Sequence, residues 1–337
     1  MERPIGEVIK ERFKDDLVRG VVLTDALIGT FSSAFEMQAN ICFLYHLIGN
    51  GTGEWKVPRG GMGALVKELV RVATAAGVEI KVNSRVKSVN TGTENATLTL
   101  EDGTTVTSSF VLSNAAPQVL ARLRGKTPPA SLEGSQMKIN ILLKSLPQLK
   151  SGIDPRLAFA GTFHAQESFA QCESTYLQAK DGAVPEMLPI EMYCHTLTDP
   201  SILSADLQAQ GYQTLTLFGL HTPAALFDTD NERAKAAALK AALASLNQYL
   251  VEPLENVIAA IEVKSPLDIE GDVGLPRGNI FHKDLSFPFR EDSQQTRWGV
   301  ETDDPLIFIC GAGAIRGGGV SGIPGHNAAM AVLEASA

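Results

Sequence analysis

The sequence has few cysteines, no excess of positive charge and no long apolar run, and each absence narrows what the protein can be. Only four of the 337 residues are cysteines and no two form a C-x-x-C pair, so neither a disulfide scaffold nor a zinc finger is expected. The net charge of −9 argues against nucleic acid as the main partner, because phosphate binding needs a basic surface. The longest apolar stretches, near residues 20–31 and 305–315, are shorter than the roughly 20 residues of a transmembrane helix.

The first residues and the composition indicate a globular protein of a reducing compartment. Residues 1–7 contain no basic segment followed by an apolar one, so no secretory signal is expected and the cytoplasm or another reducing compartment is predicted. Hydrophobic residues make up 44% and charged residues 20%, which is typical of a folded chain. The length suggests about two domains.

The spacing of apolar residues predicts helices and strands along the whole chain. Helices are predicted over residues 5–23, within 24–50, after 63, over 231–250 and over 328–334. Strands are predicted over residues 78–82, 85–89, 96–100, 105–112, 137–143, 157–164, 187–195, 213–220 and 306–310, and residues 257–263 are predicted as a strand or as a helix followed by a strand.

A glycine-rich segment follows the most apolar of these predicted strands. Residues 306–310 form a continuous apolar run, as in a strand buried on both faces, and residues 311–325 lead from it to the last helix. A strand, a glycine loop and a helix N-terminus form an anion-binding geometry, because backbone N–H groups can approach the ligand closely. The alternative is a glycine turn needed only for close packing. A complete dinucleotide fingerprint is rejected, since only 20 residues follow Gly317 and no second strand is among them.

Residues 58–63 repeat this arrangement, with a glycine turn directly before a helix. The apolar stripe of that helix is predicted to be buried, and Gly77 is expected to end it. A simple N-terminal turn is again the alternative. The stripe consists of Leu65, Val66, Leu69, Val70 and Ala73. The six histidines lack metal-ligand spacing, so no metal site is predicted.

The two glycine clusters together resemble the flavin-dependent oxidoreductases of the phytoene desaturase and amine oxidase type, and most closely their phytoene-dehydrogenase-like group. The resemblance covers most of the chain. It is sharpest over residues 57–62, 77–86, 278–282 and 308–329, whereas the middle of the chain matches only in general character.

The resemblance implies an FAD site. The backbone of Val86 would meet the adenine, and Gly60 and Gly61 would lie near the flavin at the face between the domains. The helix near His326 would direct its N-terminus at the flavin ring, where it stabilises the negative charge of the reduced form. No catalytic residue is assigned, because the cofactor performs the difficult step of hydride transfer. The implied cofactor contacts are Gly60, Gly61, Met62, Val86, Gly311 and Ala312 (along the phosphate–ribityl chain), Gly318, Gly319, Val320, Gly322 and His326.

One part of the family's signature is absent from these residues. It is the N-terminal strand, G-x-G-x-x-G loop, helix and second strand that bind the ADP half of FAD. In the family, the strands matching 78–82 and 306–310 pair with those two strands, so apolar strand edges are expected to be exposed here. Three interpretations follow. The chain is a fragment or truncated product, another chain or a homodimer partner supplies the nucleotide-binding half, or the strands adopt a new arrangement without flavin.

These observations predict an α/β fold with two discontinuous domains. A partial FAD/NAD(P)-binding Rossmann-like domain would comprise residues 51–118 and 266–337, and a mixed α+β substrate domain residues 1–50 and 119–265. The implied function is an FAD-dependent oxidoreductase that transfers a hydride from a C–H or C–N bond of a lipophilic or amine substrate. The alternative is a non-catalytic binding or regulatory protein that keeps the scaffold without flavin.

Overall fold

The computed structural model describes residues 2–47, 56–130, 132–285 and 297–337. Its helices are α1 (Ile5–Arg12), α2 (Asp16–Thr24), α3 (Met37–Leu47), α4 (Met62–Ala75), α5 (Pro117–Leu123), α6 (Pro155–Ala158), α7 (Phe169–Lys180), α8 (His195–Thr198), α9 (Ala205–Ala209), α10 (Asn231–Asn247), α11 (Pro266–Val273) and α12 (Ile323–Ala335). Its strands are β1 (Val86–Thr91), β2 (Ala96–Leu100), β3 (Thr105–Ser108), β4 (Val111–Ser113), β5 (Met137–Leu143), β6 (Thr162–Ala165), β7 (Ile190–Tyr193), β8 (Gln213–Gly219), β9 (Ile258–Lys264) and β10 (Ile307–Ile309). Short 3₁₀ turns cover Pro200–Ile202, Ala224–Phe227, Leu254–Asn256 and Pro276–Gly278.

A five-stranded antiparallel sheet, in the order β6-β7-β8-β5-β9, carries the largest core. The side chains of β5 alternate regularly between a buried and a half-buried face, which confirms the predicted strand over residues 137–143. The alanine-rich helix α10 lies against the buried face, and Ala238, Ala242 and Leu246 belong to the same core as β5. Small alanine side chains let this helix approach the sheet closely. The other face of the sheet remains partly open.

Two smaller sheets hold the glycine segments. Strands β1, β2 and β3 form an antiparallel sheet, and the turn between β2 and β3 contains Gly103 with a φ of +85°. Strands β4 and β10 pair in parallel, with Ile307 opposite Val111. The outer edge of β10, which we expected to be exposed, is partly covered, because Ile309 donates its backbone N–H to the carbonyl oxygen of Val300 at 2.7 Å. The division into two domains stays a prediction, and its boundary at 50–51 lies outside the described residues.

The helix predicted over residues 5–23 is two helices. The Asp15 carboxylate accepts hydrogen bonds from the backbone N–H groups of Leu17 and Val18, so it ends the first helix and caps the second. In the region 24–50, α3 is the helical part of the described residues, and residues 48–50 lie outside them. The last helix begins at Ile323 rather than at 328, because Pro324 fits the first turn of a helix.

Other differences arise where side chains cap the backbone locally. Residues 266–278, for which no helix was predicted, contain α11, whose start is fixed by reciprocal hydrogen bonds between Ser265 and Asp268. Residues 157–164, predicted as a strand, divide into the end of α6 and the start of β6. Such capping interactions set the ends of helices, and the periodicity of apolar residues predicts these ends poorly.

The apolar stripe of α4 is exposed, so its predicted burial is wrong. The exposed fractions of Val66, Leu69 and Val70 are 56%, 61% and 45%. Residues 78–82 are not a strand, and Val78 and Val82 are 52% and 78% exposed. A strand needs a hydrogen-bonded neighbour and an apolar stripe needs a packing partner. The described residues provide neither here, which leaves a continuous apolar surface that we call the α4 face (Val66, Leu69, Val70, Val78 and Val82).

The pH dependence of stability should arise in part from His221. This residue is 1% exposed, and its Nδ1 lies 3.0 Å from Thr175 Oγ1. Burial lowers the pKa of His221 to about 4, below its ordinary 6.5. The unfolded chain therefore takes up a proton that the folded chain does not, and stability falls as the pH drops from 6.5 towards 4. Between pH 7 and pH 5, we expect the free energy of unfolding of His221→Asn to fall by roughly 2 kcal/mol less than that of the parent, as measured by urea unfolding. His326→Asn, at an exposed position, is the control, and equal losses in both variants would contradict the assignment.

Candidate functional site

The glycine loop after β10 is folded tightly against its own protein. A Cβ at Gly311 would lie 2.0 Å from Asn114 Oδ1, and one at Gly319 would lie 3.0 Å from Tyr45 Oη. Gly317 and Gly319 also have φ values of +78° and +63°, which favour glycine. Close packing therefore accounts for part of the glycine content, as the alternative interpretation of this segment predicts.

The outer part of the same loop faces open space. Gly322 precedes α12 with a φ of +71°, and a Cβ there would have no atom within 4 Å. The backbone N–H of Ile323 donates to Ser321 Oγ at 3.3 Å, so one N–H at the start of α12 has a partner, and His326 lies exposed in the first turn. The open space at Gly322 leaves the positive end of the helix dipole accessible to a ligand that carries negative charge.

The second glycine turn contacts the end of the five-stranded sheet. The backbone N–H of Gly60 donates to Asp199 Oδ2 at 2.5 Å, and a Cβ at Gly61 would lie 3.5 Å from Ile202 Cγ2. Asp199 is 8% exposed and its carboxylate also accepts hydrogen bonds from Ser201. These bonds hold the turn in front of a cavity of about 220 Å³, which is lined by Val57, Ala160, Gly161, Thr162, Tyr193, Cys194, His195 and Thr198.

Val86 lies on a different cavity, at the start of β1. This cavity has a volume of about 500 Å³ and reaches the carboxyl end of β4 at Ser113 and Asn114. Asn114 also contacts Gly311, so it connects the surroundings of Val86 with the glycine loop. The carboxyl ends of parallel strands are where α/β proteins bind ligands.

The structure thus brings the predicted site residues together in part. Gly318 lies against Ala312, with 3.1 Å from a Cβ at Gly318 to the Ala312 Cβ, and both belong to the loop that packs near Asn114. Gly60 and Gly61 instead contact the segment that follows β7, at Asp199 and Ile202. Met62 and Val320 are 51% and 77% exposed. Cofactor contacts at these positions stay predictions.

Sequence reasoning missed the residues that support these loops. Tyr45, Asn114 and Asp199 each contact a predicted site glycine from a distant part of the chain. Asn114 stands directly after a strand, which is a signal for a ligand-facing position. Tyr45 and Asp199 have no sequence pattern that would have identified them.

Sequence reasoning also missed a buried acidic cluster on the half-open face of the five-stranded sheet. Glu167 and Glu191 are only 1% and 3% exposed. The Tyr193 hydroxyl donates to Glu191 Oε1 at 2.9 Å, and His164 Nδ1 contacts Glu167 Oε2, which also accepts from Thr24 Oγ1 at 3.0 Å. Glu167 Oε1 is buried without a hydrogen-bond partner among the described residues. Tyr193 belongs to the cavity beside Val57 as well, so it connects that cavity to the cluster.

Burial and mutual repulsion shift the ionisation of this cluster. Burial, followed by the charge of Glu167, raises the pKa of Glu191 to about 7. Burial also raises the pKa of Glu167, although its contacts with His164 and Thr24 act against that shift. Burial opposes protonation of His164, yet the adjacent Glu167 carboxylate raises the pKa of this histidine. The cluster therefore holds a proton that can be exchanged near neutral pH.

The neutral form of Glu191 should be visible in the pH dependence of stability. Because its folded-state pKa of about 7 exceeds the ordinary 4.5, the folded chain keeps a proton that the unfolded chain releases, and stability falls as the pH rises from 4.5 to 7. Glu191→Gln imitates the neutral carboxyl. Between pH 5 and pH 8 we expect it to lose roughly 2–3 kcal/mol less stability than the parent in urea unfolding. Glu262→Gln, at an exposed position on the same sheet face, is the control, and a parallel loss in both variants would refute the shift.

Sequence comparison finds relatives of this chain and one matching family model. The model of the family "Flavin containing amine oxidoreductase" matches residues 2–137. An uncharacterized protein of Mycobacterium tuberculosis is 46% identical over 99% of this chain and 65% of its own length. Over residues 2–137, the chain resembles the flavin-containing amine oxidoreductases. Pyridine nucleotide-disulfide oxidoreductase domain-containing protein 2 of Mus musculus is 30% identical over 98% of this chain and 60% of its own length. The chain therefore spans less than two thirds of these curated relatives.

Solved structures share the fold. An oxidoreductase from Methanosarcina mazei superposes with a TM-score of 0.62 at 14% identity, covering 98% of this chain and 68% of that one. Wild-type putrescine oxidase bound to putrescine gives a TM-score of 0.57 at 18% identity, with coverage of 99% and 68%. The predicted α/β fold class, that of FAD-dependent oxidoreductases with a mixed α+β part, is confirmed.

Two searches of the described residues complete the description of the site. None of the helices in residues 2–47, 56–130, 132–285 and 297–337 combines the length and apolar character needed to cross a bilayer. In the same ranges, no group of three or more His, Cys, Asp or Glu side chains is arranged to hold a metal ion.

Proposed function

We propose that the protein takes part in FAD-dependent oxidation of a C–H or C–N bond in a lipophilic or amine substrate. The main support is the accessible start of α12 beside the glycine loop, in a chain that resembles the family described as flavin-containing amine oxidoreductases. Flavin, when bound, accepts a hydride from the substrate. The residues of this chain would bind and orient the reactants and exclude water from them.

The described residues fit the flavin-ring end of the cofactor. Gly322 leaves room at the start of α12, and backbone N–H groups with the helix dipole would stabilise negative charge there. The Gly60–Gly61 turn, fixed by Asp199, would adjoin the substrate cavity. Val86 and Asn114 would border the adenine in the 500 Å³ cavity.

The nucleotide half of the cofactor needs additional residues. The string G-x-G-x-x-G occurs in the sequence at residues 317–322, but there it leads into α12, and no described strand follows to complete the strand–loop–helix–strand unit that binds the diphosphate. The α4 face is apolar and exposed, and it fits an element that carries this motif. We therefore propose that FAD is held jointly by this chain and a nucleotide-binding segment, either in the same polypeptide or in a partner chain or homodimer partner.

Flavin binding can be measured with the chain itself. We expect the fluorescence of FAD to be quenched when the protein is added, and Gly322→Asp to weaken binding at least tenfold, because a carboxylate at the start of α12 repels an anionic ligand. Gly211→Asp is a matched control, since Gly211 has a φ of +80° and equally open space. Binding is followed by fluorescence titration and by the visible absorption that survives desalting.

The outcome also separates the two classes of function. FAD fluorescence that does not respond to the protein, with or without a nucleotide-binding segment, would contradict the flavin proposal. It would favour the non-catalytic binding or regulatory protein. Equal weakening by both aspartates would place the flavin elsewhere on the chain.

A further inference from the structure

A third cavity, of about 370 Å³, opens between the start of β5, α11 and the segment after α2. This volume is within the range of roughly 300–1,000 Å³ that small-molecule sites occupy. Most of its wall is apolar, and the side chains that form this wall are Ile28, Phe218, Ile269, Val273 and Ile280. Such a wall suits a hydrocarbon chain.

One polar group of this cavity is buried without a partner. Ser135 is 2% exposed, and its Oγ makes no hydrogen bond with the described residues. Buried hydroxyl groups are normally hydrogen-bonded, because desolvating them without a partner costs free energy. The Ser135 hydroxyl therefore has a hydrogen-bonding capacity that the described residues leave unused.

A second polar group of this cavity, Lys138, carries a positive charge that no ion pair among the described residues neutralises. The cavity contains two lysines, and Lys264 is paired with Asp272 at 2.7 Å and Glu262 at 3.4 Å. Lys138 makes no ion pair or hydrogen bond with the described residues, and its Nζ lies 6.0 Å from the centre of the Phe218 ring. An ammonium group beside an apolar wall attracts an anion, and Ser135 is three residues away on the same segment.

We propose that this cavity binds an amphipathic carboxylate. Its carboxylate group would accept hydrogen bonds from Lys138 Nζ and Ser135 Oγ, and its hydrocarbon chain would lie along the apolar wall. A hydrogen bond from an ammonium group to a carboxylate is about twice as strong as one between neutral groups, so the charged end fixes the orientation. That this ligand is the substrate rests on the proposed function, whereas its binding does not require flavin.

Isothermal titration calorimetry on the flavin-free chain tests this proposal, with decanoate and decanol as probes below their aggregation concentrations. We expect decanoate to bind at least tenfold more tightly than decanol. Lys138→Met should remove that preference and leave decanol binding unchanged, and Lys138→Arg should retain it. Ser135→Ala should weaken decanoate only. Lys144→Met, at the exposed end of β5 outside the cavity, is the control and should behave as the parent.

Several results would overturn the proposal. Equal affinities for the two probes would overturn it, and so would a failure of decanoate to bind. An unchanged preference for decanoate in Lys138→Met would also overturn it, if this variant melts like the parent. Failure of this site and failure of the proposed function are distinguishable. A chain that binds decanoate but ignores FAD refutes the flavin proposal alone, and a chain that binds FAD without preferring decanoate refutes this one alone.

Discussion

The structure depends on the alternation of side chains along β5, the strand that lies between β8 and β9 in the five-stranded sheet. One face of β5 is almost fully buried against α10, and burial of this kind is the main favourable contribution to folding. Because successive side chains point to opposite faces, the same strand places Lys138 and Asn140 on the half-open side. The alternation along β5 thus specifies both the apolar core and the sheet face that carries polar side chains.

That half-open face is electrostatically asymmetric. Across the sheet, Glu191 pairs in register with Phe218, and Phe218 pairs with Lys138. Buried carboxylates therefore lie toward β6 and β7, and an unpaired ammonium lies toward β9, with an aromatic ring between them. Antiparallel pairing fixes this order, since a shift by one residue would turn every one of these side chains to the other face. A face of this kind can orient a ligand that has both polar and apolar parts.

The glycine segments combine two roles that sequence cannot separate. Gly311 is required by its approach to Asn114, whereas Gly322 faces open space at the start of α12. A glycine that avoids a clash within the protein and a glycine that admits a ligand look the same in a sequence. Only the positions of Tyr45 and Asn114 distinguish them, and both come from remote parts of the chain.

The sequence by itself determined most of the local elements and the fold class. The periodicities of β5, β8 and α10 depend on residues close in sequence, and the glycine motifs pointed to the flavoprotein fold that the solved structures share. Tertiary structure decided what is buried. The stripe of α4 has the helical period of a core helix but stays exposed, because burial depends on a neighbour and not on the pattern. Tertiary structure also formed the acidic cluster and the Lys138 cavity. Each joins residues from separate elements, which come close together only on folding.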